Sequence, residues 1–188
     1  MDPSLNDPEQ LVVQTLFADG HIQYRLFQNE LDKTIGEPAL QVLALKDLIV
    51  PQSLDQMTWN CGEYGFLMTL SRKVPETIGN SLEPFLESLA ASIGLSFNQL
   101  KEEAYFAIHP GGPKINDQIE KMLSLREEQL SYSRSVLRDY GNMSSATLPH
   151  IWKAVLEDSN CPSGRIIISL AFGPGLTVAG GIFKKVDL

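Results

Sequence analysis

The 188-residue sequence predicts an α/β domain in which helices cover a mixed sheet. Three observations carry that prediction. Ala104 to Ile108 is an unbroken apolar run, the mark of a strand buried on both faces. Pro113 follows at a suitable first helical position, and Ile115, Ile119, Met122 and Leu123 continue the helix beyond it. Arg165 to Phe172 and Thr177 to Lys185 then end the chain as two apolar strands around a Gly-Pro-Gly turn.

The remaining elements follow in order. Pro8 to Asp19 reads as a short helix with Leu11, Val12, Thr15 and Leu16 on one side. His21 to Phe27 alternates, with Ile22, Tyr24 and Leu26 set against Gln23 and Arg25, and reads as a strand. Ala39 to Val50 is rich in leucine and β-branched residues without helical period and reads as another strand. Gly65 to Ser71 is a further short strand. Pro75 opens a helix whose buried stripe is Ile78, Leu82, Phe85, Leu86 and Leu89, and Gly94 ends it. Glu127 to Leu137 is another helix, and Ser144 or Ser145 caps the next, which carries Leu148, Ile151, Trp152 and Val155.

Composition narrows the function. Hydrophobic content of 43% and charged content of 20% belong to a globular protein rather than a disordered one. A formal net charge of −8 argues against nucleic acid or an anionic membrane as a partner, although a local basic site can still take an anionic ligand. The leader, residues 1–10, is acidic and polar, unlike a secretion signal, and no window has the length of a membrane span. A cytoplasmic, reduced protein is therefore expected. Its two cysteines, Cys61 and Cys161, read as buried thiols.

Three segments carry candidate chemistry. The first is Ile108-His109-Pro110-Gly111-Gly112-Pro113, where a histidine leaves a buried strand. Ligand sites in open α/β sheets lie just outside strand carboxyl ends, and a pair of glycines lets a ligand approach the backbone. The second is Tyr140-Gly141-Asn142-Met143-Ser144-Ser145. Here Asn142 offers a neutral N–H donor, and two donors converging on one oxygen make an oxyanion hole. The third is Ala171-Phe172-Gly173-Pro174-Gly175-Leu176-Thr177. Taken singly, each has a plainer reading: a histidine bonded to a local carbonyl, an asparagine in a turn, a hairpin turn.

In this order the three segments resemble the C-terminal half of chalcone-synthase-like type III polyketide synthases. Leu16-Phe17-Ala18-Asp19-Gly20 is similar to that family's Leu-Phe-Gly-Asp-Gly segment. Gly65-Phe66-Leu67-Met68 with Val74-Pro75 is similar to its Gly-Leu-Thr-Phe and Val-Pro segments. The resemblance spans 11–188 as one chalcone/stilbene synthase-like C-terminal domain, beginning where the family's second half begins. It implies the C-terminal half of a thiolase-like fold. It also implies an acyltransferase that uses acyl-CoA and malonyl-CoA as substrates, with no further cofactor and no metal.

Residue roles carry over on the same terms. The resemblance makes His109 and Asn142 the catalytic histidine and asparagine. Phe17 falls on a gatekeeper phenylalanine, Met68 on the position of a second one, and Trp59 on a cavity glycine. Ser144 matches a cavity serine, Phe172, Gly173, Pro174 and Gly175 match the cyclisation loop, and Lys114 lies near the pantetheine arm. Phe17, Trp59 and Met68 also have a plain reading as core. Neither Cys61 nor Cys161 matches the family's nucleophile, so the expected partners are an N-terminal half bearing that cysteine and a second copy in a homodimer. The chain alone is expected to be inactive. Rival readings are a ketoacyl synthase of fatty-acid synthesis, against which the Phe172–Thr177 ending speaks, and a non-catalytic binding or assembly domain.

Overall fold

The computed structural model describes residues 11, 15–27, 36–63 and 65–187. The leader and most of the first expected helix lie outside them. Thr15 and Leu16 are helical, and Phe17 has already left the helix to form a bridge with Asn142.

The centre is a four-stranded mixed sheet in the order β1-β6-β5-β4. Its strands are β1 (Ala39–Ile49), β4 (Tyr105–Ile108), β5 (Ile166–Gly173) and β6 (Thr177–Val186). β4 runs parallel to β5, with Tyr105 opposite Ile167 and Ile108 opposite Leu170. The β5–β6 and β6–β1 pairs are antiparallel. A separate antiparallel hairpin joins β2 (Met57–Gly62) to β3 (Gly65–Leu70).

The sheet divides two cores. On one side α1 (Val74–Ala91) and α3 (Pro113–Leu123) meet Ile168, Leu170, Val178 and Ile182. The expected stripe of α1 is buried there, from Ile78 through Leu82, Phe85 and Leu86 to Leu89. On the other side α5 (Thr147–Glu157) lays Ile151 and Val155 against Ile167, Phe183 and Ala107. Alternate residues of β5 thus face opposite cores, as a strand of period two requires. α2 (Phe97–Lys101) and α4 (Ser131–Tyr140) complete the set. At the end of α5, the buried Lys185 ammonium donates to the carbonyls of Val155 and Asp158 at 3.0 and 2.9 Å.

Four expectations need correction. Residues 21–27 alternate but form no strand, and Tyr24, Leu26 and Phe27 are exposed. Alternation favours a strand only where an edge is available to pair with it, and no described strand pairs with this segment. The helix expected from Glu127 to Leu137 begins as a 3-10 turn, Glu127–Leu130, and continues as α4 to Tyr140. Neither Ser144 nor Ser145 caps α5, because both lie in a 3-10 turn, Ser144–Ala146, and Ala146 is the cap residue. Cys61 is exposed on the hairpin, whereas Cys161 is buried as expected. The strand β2 and the short helix α2, opened by a Ser96–Gln99 capping box, were not anticipated.

Close packing between α1 and the sheet depends on Gly180. A methyl group there would stand 2.6 Å from the Phe85 ring. Gly180→Ala is therefore expected to destabilise the domain by about 1–3 kcal/mol, the usual cost of overpacking a tight core. A urea midpoint measures this, and the cost should shrink in the Phe85→Leu background, where the obstructing ring is gone.

Candidate active site

Two strand and helix ends bring the site together. His109 follows β4 directly, and its backbone N–H donates to the Leu170 carbonyl at 2.8 Å, extending the β4–β5 ladder by one residue. Its carbonyl accepts from the Gly111 N–H at 3.1 Å, which turns the chain sharply towards α3. Among the described residues, no group hydrogen-bonds the His109 ring. Burial lowers the imidazole from 6.5 to about 4, so the ring is neutral near pH 7. A neutral imidazole keeps one N–H to donate and one nitrogen to accept.

Asn142 is held more tightly still. It is 2% exposed. Its N–H donates to the Leu16 carbonyl at 3.2 Å, and its carbonyl accepts from the Ala18 N–H at 2.8 Å. The side-chain Oδ1 accepts from the Ser144 N–H at 2.9 Å. Because an N–H donor occupies Oδ1, the side-chain orientation is settled, and the Nδ2 donor is left for the cavity. The turn needs glycine at 141, where φ is +74° and a Cβ would stand 3.1 Å from the Ala18 Cβ. Gly20 is required for a similar reason, since a Cβ there would meet the Met143 Cβ at 2.5 Å.

His109 and Asn142 both line one cavity of about 1290 Å³. That exceeds the roughly 300–1,000 Å³ of a common small-molecule pocket. Phe17, Trp59, Met68, Lys114 and Ser144 line it too. Trp59 and Met68 stand directly opposite each other on the β2–β3 hairpin, so the two positions chosen separately from sequence form one cross-strand pair. Phe172 and Pro174 also line the cavity, but Gly173 and Gly175 do not. Those glycines make the turn. Gly175 has φ of +118°, and a Cβ there would stand 3.2 Å from the Thr177 Oγ1. Neither cysteine lines the cavity.

The residues match a family model over 41–187, that of the chalcone and stilbene synthases, C-terminal domain. The chain belongs to this family. It is also similar to type III polyketide synthase B of Arabidopsis thaliana, with 33% identity over 195 aligned positions. That alignment covers 99% of this chain and 48% of the relative, so the chain spans about half the length of the curated relative it matches. The mixed sheet and its helices are the thiolase-like architecture of this C-terminal domain. No described helix is long and apolar enough to cross a membrane.

Other lining residues of this family member escaped the sequence. Leu148, Pro149 and Trp152 face the cavity from α5. Their spacing puts them on one helical face, a signal available once the helix start is known. The Trp152 indole is fixed by its N–H donating to Ser169 Oγ at 2.8 Å, and Tyr24 meets it edge-on with centroids 6.5 Å apart. Arg72 and Lys114, both exposed, put two cations on the cavity wall.

The lowered His109 value has a consequence for stability. Between pH 6.5 and about 4 the unfolded chain binds a proton at this residue and the native chain does not. The native state's advantage is thus present above pH 6.5 and lost as pH falls towards 4. An NMR titration of His109 should show a midpoint near 4. His109→Gln should flatten the pH dependence of stability across the same window, while a midpoint near 6.5 would show the ring to be solvated.

Proposed function

We propose that this chain is the C-terminal half of a type III polyketide synthase and supplies the oxyanion donors for decarboxylative condensation. The observation that carries this reading is the convergence of His109 and Asn142 on one cavity that no cysteine lines. Two N–H donors without a thiol fit a half that stabilises charge and leaves covalent attachment to another segment. The N-terminal half bearing the nucleophile is the proposed partner, and acyl-CoA and malonyl-CoA are the proposed substrates. A second copy in a homodimer completes the proposed assembly.

In this scheme the thioester carbonyl of malonyl-CoA accepts from the His109 ring N–H and from Asn142 Nδ2. The bond between the carboxylate and the α-carbon breaks, CO₂ leaves, and the electron pair enters the enolate. The two donors stabilise the negative oxygen as it forms. The enolate carbon then attacks the acyl thioester on the partner's cysteine, a carbon–carbon bond forms, and the thiolate departs. That thiolate bears on His109. An anion beside the imidazole favours its charged form and offsets the effect of burial. Lys114 and Arg72 give the cavity positive charge suited to the phosphates of coenzyme A, and neutral His109 needs no metal to donate.

Purified alone, the chain is expected to make no polyketide from malonyl-CoA and a starter thioester. In the reunited synthase, Asn142→Ala should slow malonyl-CoA decarboxylation by ~10²–10³ and change KM far less, because the donor acts on charge that develops late. Unchanged kcat with a raised KM makes Asn142 a ground-state binding residue. Failure of the reunited wild-type chain to decarboxylate favours the binding-domain reading instead.

Trp59 tests the cavity. Its indole stands beside Met68 on the hairpin that lines the cavity and takes up volume that a glycine would leave free. In the reunited synthase, Trp59→Gly is expected to give longer products or admit bulkier starters, read by mass spectrometry. An unchanged product profile removes Trp59 from the determinants of size.

A further inference from the structure

We infer that Ser133 is a positioning residue that sets the offset between His109 and Asn142 by tying α4 to the outer edge of β4. The inference rests on the proposed role of those two donors. Among the described residues β4 is the last strand of its sheet, with β5 on one side only. The His109 N–H points to β5. By alternation, the Ile108 N–H and the Phe106 carbonyl point away from the sheet. Both atoms end on one hydroxyl. Ser133 Oγ accepts from the Ile108 N–H at 2.8 Å and donates to the Phe106 carbonyl at 3.0 Å. One side chain from a helix takes the place of a neighbouring strand.

Its position makes this link more than a cap. Ile108 is the residue before His109. α4 starts at Ser131 and ends at Tyr140, and its last turn passes straight into Gly141 and Asn142, with the Gly141 N–H donating to the Leu137 carbonyl at 2.9 Å. Ser133 is 0% exposed and shares the buried side of α4 with Val136. An apolar residue would be the ordinary choice at such a position, and it would leave two backbone groups of β4 without partners.

The neighbours of Ser133 fix the helix in other directions. The Tyr132 hydroxyl donates to Asp158 Oδ2 at 2.8 Å, just beyond α5. Arg134 donates to Asp117 Oδ1 at 2.8 Å and also pairs with Glu120, both on α3. Three successive side chains therefore bind α4 to three elements, and the middle one binds the strand that delivers the histidine. Two donors acting on one oxygen tolerate displacements of about 0.5 Å. Sliding α4 along β4 moves Asn142 and leaves His109 in place.

The test compares Ser133→Ala with Ser133→Thr, which keeps the hydroxyl. In the complete synthase, Ser133→Ala should lower kcat for malonyl-CoA decarboxylation by about 10- to 100-fold, with KM nearly unchanged. Ser133→Thr should restore it. If the alanine variant does not fold, Ser133→Cys carries the test, because sulfur reaches the same two groups through longer, weaker bonds. Amide exchange at the Ile108 N–H reports the link itself in either variant. A folded variant with fast Ile108 exchange and unchanged kcat overturns the inference and leaves Ser133 a stabilising cap. Should the wild-type synthase not decarboxylate at all, the proposed function fails, and the NMR signals of the Asn142 side-chain amide decide the inference separately. Their displacement in Ser133→Ala, reversed in Ser133→Thr, supports it. Unshifted signals in a variant that has lost Ile108 protection overturn it.

Discussion

β4 is a strand at the margin of its sheet that scarcely meets water. Phe106, Ala107 and Ile108 are all buried, yet no described strand lies beyond them. A buried backbone group without a partner costs about 1–3 kcal/mol, so the outer edge of β4 has to be satisfied by side chains. Ser133 serves Phe106 and Ile108. Just ahead of the strand, Gln129, itself 3% exposed, donates to the carbonyls of Lys101 and Ala104 at 2.7 and 2.8 Å. The 3-10 turn and α4 are placed by these demands. The position of Asn142 follows from the position of α4.

The opposite margin of the site is built differently. Segment 16–20 meets the Asn142 turn through two backbone hydrogen bonds and two close glycine contacts. Its hydrogen bonds are both made by backbone groups, which do not depend on any side-chain rotamer. The result is a neutral amide whose oxygen is already occupied and whose N–H donors remain for use. Electrostatic stabilisation works best with dipoles that need no reorganisation when charge appears.

Much of this was legible in the sequence, for identifiable reasons. Long apolar runs and helical stripes report burial, which is why β4, α1 and the β5–β6 pair were read correctly. The three motifs marked the cavity because turns at element ends carry little core information and leave the chemistry visible. Segment 21–27 misled because alternation records a preference and cannot supply a partner strand. Ser144 misled because a serine before a helix has several backbone groups within reach. Its own N–H bonds Asn142, its φ is +54°, and the helix starts three residues later. Ser133 was invisible, since a polar residue in an amphipathic helix gives no sign that a strand edge lies beneath it.

The two cations on the cavity wall sit on a chain of net charge −8. A phosphate-bearing ligand therefore meets two fields of opposite sign. Far from this chain it feels a net repulsion, and at the wall Arg72 and Lys114 attract it. Physiological salt screens over roughly 8 Å, which weakens the distant repulsion more than the contact at the wall. For this chain, modest ionic strength should ease the approach of an anionic ligand, the reverse of the rule for proteins that steer their ligands with a field of opposite charge.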